Sequence, residues 1–152
     1  MSRYVRGMPA RARAAAVSVR ILGLAVLALG VLHLYATLLI RDHVLARIPD
    51  VGLRSFISSG YLLDHVLVGV LLLPIGLLMV WSSRALGHGE RWAYVLNLVF
   101  SLTFLTFPLL IVAIIAGPEF SSPAFSAASV LATVVALGSC GVLLWARPDF
   151  RA

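Results

Sequence analysis

Few side chains in this 152-residue sequence can do chemistry: four histidines, six carboxylates and one cysteine, with no lysine among its twelve basic residues. Three of them fall at long apolar runs. His33 lies inside the first run, and the adjacent pair Asp64-His65 opens the second. A neutral imidazole can ligate a soft or borderline metal, or exchange a hydrogen bond with a bound molecule. A neighbouring carboxylate would fix its tautomer and favour the imidazolium. The same residues have a purely structural use, as hydrogen-bonding glue between membrane helices or as a charged helix start at the water boundary. Both readings stand at this point.

Absences exclude whole classes. Without lysine there is no retinal or pyridoxal Schiff base and no phosphate-binding loop of the Walker type. A single cysteine, Cys140, excludes a four-helix thiol–disulfide enzyme, which needs pairs. No CxxCH motif for covalent haem attachment occurs. The chain offers no arginine series for voltage sensing and no glycine-rich filter loop for a selective channel.

The elements that must position these residues follow from composition. The sequence is 61% hydrophobic and 12% charged, against ~45–50% and ~25% in soluble domains, and its mean hydropathy is +1.03. A membrane-spanning helix needs ~20 apolar residues, and four such runs fit: about 21–40, 61–81, 92–116 and 124–145. The expected fold is therefore all-α, an integral-membrane four-helix up-down bundle over residues 21–146. A basic segment (1–20) precedes it and a short charged tail (147–152) follows. The first run is too long for a signal-peptide core and lacks a small-residue cleavage site, so it reads as a retained span. Residues 41–60 form the longest connector. Leu53, Phe56 and Ile57 lie there among charges as an interfacial amphipathic segment, with Pro49 as a helix breaker.

Arginine placement orients the bundle. With the N-terminus inside, nine arginines fall on inner segments and three (Arg41, Arg47, Arg54) on an outer loop, a positive-inside pattern. Trp81, Trp92 and Trp145 all fall at the inner boundary, where indoles prefer the headgroup level. Both termini are expected to be cytoplasmic. The net charge of +6 is thereby explained by topology, with no need of nucleic acid. The all-arginine, alanine-rich composition fits a GC-rich bacterial genome, and hence a multi-pass protein of the bacterial inner membrane.

Helical spacing then sorts the polar groups. Gly23, Gly30, His33 and Thr37 share a face of the first span, and His65, Gly69 and Gly76 share one of the second. Asp64 and His65 project ~100° apart. Antiparallel packing brings Thr106, Ser126 and Ser129 to the outer half as well. The expected outward polar pocket comprises His33, Thr37, Asp64, His65, Thr106, Ser126 and Ser129. Its metal candidates are His33, His65 and Asp64. His43 and His88 read as solvated loop residues. The inner half is expected to be drier, with Asn97 and Ser101 as exceptions.

The segments RILGLAVLALGVLHL (20–34) and GVLLLPIGLLMVWSSRALGHGERWAYVL (69–96) resemble the small bacterial four-helix membrane proteins of the DoxX-like group. Those two segments, 43 of the 152 residues, carry the resemblance. It implies a four-helix membrane protein linked to quinone or redox-stress chemistry, and it carries over no catalytic residue. The long charged first loop and Asp64-His65 depart from that pattern. Together these readings suggest a pocket protein for a lipophilic ligand such as quinone, for haem b, or for a metal, as a redox-accessory subunit and not an enzyme on its own. Two alternatives remain. One is a structural or assembly subunit of a larger membrane complex, whose partner is another membrane protein or a second copy of the chain. The other is a small proton-coupled transporter dependent on Asp64.

Overall fold

The computed structural model describes residues 10–39, 41, 45–115 and 123–150, and the side chains of these apart from Tyr61, 107–115, 123–129, 131 and 132. His43, residues 116–122 and the side chains of Ser126 and Ser129 lie outside the described residues.

Four helices make up the fold: α1 (Ala10–Leu39), α2 (Val51–Gly87), α3 (Arg91–Ile115) and α4 (Pro123–Ala146). Among the described residues there is no strand. Two of the helices, α1 and α2, are long and apolar enough to cross a membrane. The third and fourth cover the apolar runs expected at 92–116 and 124–145 to within a residue or two.

The second helix is longer than its apolar run. At ~1.5 Å per residue, its 37 residues extend about 55 Å, well beyond a ~30 Å hydrocarbon core. It absorbs residues 51–60 at one end and 82–87 at the other. Asp50 starts it: its Oδ1 accepts the Leu53 N–H at 2.7 Å and its carbonyl accepts the Arg54 N–H at 2.9 Å. This is an N-cap, immediately after the proline that stops anything upstream. The Arg54 guanidinium reaches back to the Ile48 carbonyl.

The other end is closed by a Schellman motif. Glu90 N–H donates to the Ala85 carbonyl at 3.1 Å and Gly89 N–H to that of Leu86 at 3.0 Å. Gly89 adopts φ +82°, the left-handed conformation that this cap requires and glycine tolerates. The chain then reverses at once into α3.

The chain divides into two compact units. One is Gly23–Leu78, a helical hairpin. Many of its outward side chains are aliphatic, with Leu29, Val31, Leu32, Leu38, Leu63, Leu67, Val70, Leu71 and Leu77 all exposed; Tyr35, Phe56, Arg47, Asp50 and Asp64 are exposed as well. The other combines Met1–Leu22 with Met79–Ala152. Its core collects one stripe from each of four helical segments: Ala12, Ala15 and Val19 from α1; Met79, Ser82 and Leu86 from α2; Ala93, Asn97 and Ser101 from α3; and Ala136, Ser139 and Leu143 from α4. Each stripe recurs at three- or four-residue steps, the helical period. A final 3-10 turn, Arg147–Phe150, stacks Phe150 on Tyr94 with ring centroids 4.8 Å apart. Its Asp149 accepts the Ala12 N–H, in the first turn of α1, at 3.2 Å, where a carboxylate suits the positive end of the helix dipole.

Candidate functional site: a histidine pair on a glycine seam

Within the Gly23–Leu78 hairpin, glycines bring α1 and α2 into backbone contact. They stand seven residues apart on both helices: Gly23 and Gly30 on α1, Gly69 and Gly76 on α2. A Cβ at Gly76 would lie 2.8 Å from the Gly23 carbonyl oxygen and 2.9 Å from the Leu27 nitrogen. One at Gly69 would lie 2.8 Å from the Leu34 side chain and 3.1 Å from the Gly30 carbonyl oxygen. At two levels, then, main chain meets main chain, the packing that small residues permit in membrane helices.

One turn beyond the Gly30–Gly69 contact, the same seam presents His33 and His65. Their ring centroids are 5.3 Å apart with planes tilted by 30°, and both residues are half-buried. The His33 ring is oriented from its own helix, with Nδ1 3.1 Å from the Leu29 carbonyl oxygen. A carbonyl only accepts, so Nδ1 carries the hydrogen, and in the neutral ring Nε2 keeps its lone pair. Metal-ligating and acceptor histidines are commonly held in this way. Thr37 is buried beside the pair, and its hydroxyl donates to the His33 carbonyl at 2.9 Å. Its proton is therefore committed to the backbone.

The other expected members are placed as follows. Asp64 is exposed, a consequence of the ~100° step that separates it from His65. Among the described residues no three His, Cys, Asp or Glu side chains come close enough to hold a metal ion, so His33, His65 and Asp64 do not form a three-ligand set. Thr106 is exposed and donates to the Leu102 carbonyl of its own helix at 2.7 Å. Ser126 and Ser129 lie on α4, their side chains outside those described. Nor does the pair fit a haem. A porphyrin between two axial imidazoles needs the helices held apart, whereas their backbones touch one turn away. A small ligand at the edge of the seam needs no such gap.

Beyond the expected exceptions Asn97 and Ser101, further polar groups are buried in the other unit. In the unit formed by Met1–Leu22 and Met79–Ala152, Asn97 is fully buried and its Nδ2 donates to Ser82 Oγ at 2.9 Å and to the Ala93 carbonyl at 2.7 Å. Ser82 and Ser83, read from sequence as connector, are buried and bond back to the Met79 and Val80 carbonyls. Ser18 and Ser139 share a hydrogen bond at 3.2 Å. The Asn97 Oδ1 and the Ser101 hydroxyl are buried with no hydrogen-bond partner among the described residues. The available signal was the serine pair itself. Small hydroxyl side chains can satisfy themselves on the preceding turn, so they need not end a buried helix.

Comparisons with protein-family models, with curated proteins and with solved structures find no match to this chain.

Proposed function

We propose that this chain is a four-span protein of the bacterial inner membrane with both termini cytoplasmic. In this reading the His33–His65 pair receives a lipophilic small molecule bearing carbonyl or hydroxyl groups, of the quinone class. Two observations support the membrane reading: the length and apolar character of α1 and α2, and the many exposed aliphatic side chains on the outer surface of the hairpin they form. Such a surface is a liability in water and ordinary in lipid.

The single observation that carries the binding reading is the imidazole pair, 5.3 Å between ring centroids, on a seam where close backbone packing holds both helices. His33 offers an acceptor at Nε2, set by its Nδ1–H to Leu29, and that acceptor suits a quinol hydroxyl. His65 supplies the second ring of the pair, and the adjoining leucines give the ligand's tail an apolar bed. The resemblance to DoxX-like proteins agrees with this reading.

The test is binding of a short-tail quinone to the purified full chain in mild detergent, by equilibrium titration. His33→Ala and His65→Ala are each expected to weaken binding by about tenfold or more, the loss of one charge-free hydrogen bond and its packing, with helix content unchanged. Equal affinity in both variants would dismiss the site. Fusions of a phosphatase active only in the periplasm test the orientation; strong activity at either terminus would reverse it.

A further inference from the structure

A second cluster, remote in sequence from the histidines, has no part in that reading. Arg91 and Tyr94 at the start of α3, with Val95, and Arg147 and Phe150 from the final 3-10 turn line a cavity of about 240 Å³ that opens to the surface. Both arginines are exposed, and among the described residues neither has an ion-pair partner. The nearby carboxylates are engaged elsewhere: Glu90 accepts the Trp92 indole N–H and Asp149 accepts the Ala12 N–H. The Tyr94 hydroxyl is buried with no hydrogen-bond partner among the described residues. The two guanidinium groups on the lining residues thus lack an ion-pair partner among the described residues, beside a floor formed by the stacked rings of Tyr94 and Phe150.

Two guanidinium groups over an apolar floor are the chemistry of a phosphodiester joined to hydrocarbon. Arginine binds phosphate oxygens in a bidentate fork, and basic pockets at the cytoplasmic end of membrane helices take anionic headgroups. The surroundings agree: Trp81 and Trp92 are exposed with ring centroids 5.7 Å apart, and Trp145 lies beneath the Arg11 guanidinium at 5.2 Å. Such an arrangement of tryptophan and arginine marks the headgroup level. We propose that Arg91 and Arg147 clamp the phosphate of an anionic phospholipid of the inner leaflet, with Tyr94, Val95 and Phe150 beneath its glycerol and first acyl carbons. This proposal rests on the membrane reading above, but not on the quinone reading.

The experiment is native mass spectrometry of the full chain from mild detergent, titrated with phosphatidylglycerol, phosphatidylcholine or inorganic phosphate. Selective retention of phosphatidylglycerol is expected, reduced about tenfold or more in the double variant Arg91→Gln, Arg147→Gln. Arg13→Gln, an exposed arginine off the cavity, is expected to leave retention unchanged. The double Arg→Lys variant keeps the charge but loses the forks, and should lie between. Four results would each overturn the proposal: undiminished retention in the double Gln variant, an equal loss in Arg13→Gln, no preference over phosphatidylcholine, or displacement of the lipid by millimolar inorganic phosphate, which would make this a free-anion site. Carbonate extraction of membranes tests the underlying reading separately. A chain released by carbonate is not membrane-spanning, whereas a retained chain without lipid selectivity refutes the clamp alone.

Discussion

The two units hold their helices together by opposite means. In the Gly23–Leu78 hairpin, side chains are removed: glycines on α1 and α2 let carbonyl oxygens and Cα atoms of facing helices meet. In the unit of Met1–Leu22 and Met79–Ala152, small polar side chains are inserted: Asn97 reaches Ser82, and Ser18 reaches Ser139. A helix in hydrocarbon gains little from burying leucine against leucine, because lipid is equally apolar. In the membrane reading proposed above, close van der Waals approach and interhelical hydrogen bonds are the two substitutes, one for each region. The difference also sorts the glycines. Among the described residues, Gly138 and Gly141 on α4 have nothing within 4 Å of an added Cβ, so they form no seam of the first kind there.

The comparison is broken most directly at Gly76. Gly76→Ala would push a methyl against two backbone atoms that cannot rotate away, at a cost of about 1–3 kcal/mol. An SDS unfolding titration followed by circular dichroism should show the loss; a stability equal to the parent would mean the seam is looser than described. Next comes Asn97→Ala, which removes two hydrogen bonds from the buried network. Membrane hydrogen bonds measured by double-mutant cycles average about 0.6 kcal/mol with a maximum near 1.7, and Asn97→Ala should fall in the upper half of that range in the same titration. No loss there would remove polar bonding as the second region's device. Gly138→Ala is expected to act with the opposite sign from Gly76→Ala, stabilising α4 by about 0.4–1 kcal/mol through helix propensity and a less free unfolded chain. A destabilised Gly138→Ala would show a hidden neighbour at that glycine. Smallest is the coupling of Ser18 and Ser139, about 0.6 kcal/mol in a double-mutant cycle. Additivity of Ser18→Ala and Ser139→Ala would show that this bond contributes nothing of its own.

Much of the hairpin is legible in the sequence because its signals are periodic. Gly23, Gly30 and Thr37 mark one face and His65, Gly69 and Gly76 another, and these are the faces that meet. Asp64 was grouped with His65 in the expected pocket, although the ~100° step between them is what leaves the carboxylate exposed while the imidazole joins the seam. Helix ends were less legible. Hydropathy falls at Ser82-Ser83-Arg84 and again before Tyr61, yet α2 passes both points. A helix stops where its backbone groups find other partners, and here those partners are Asp50 at one end and the Gly89 turn at the other. The buried serine–asparagine network was legible only in part: Asn97 and Ser101 stand out in an apolar run, but a serine that bonds to its own preceding turn gives no sign of which neighbour it will meet.

One consequence of the seven-residue glycine spacing concerns motion. Because Gly76 is seated against Gly23 and Leu27 while Gly69 is seated against Gly30 and Leu34, α1 and α2 interlock like a ratchet with two teeth engaged. Shifting the register of either helix by a single residue would replace both of its glycines with leucine, isoleucine or valine, which neither notch accepts. With the glycine levels engaged, a change in the distance between the two imidazoles comes from side-chain rotation, leaving the helices themselves as a fixed gauge.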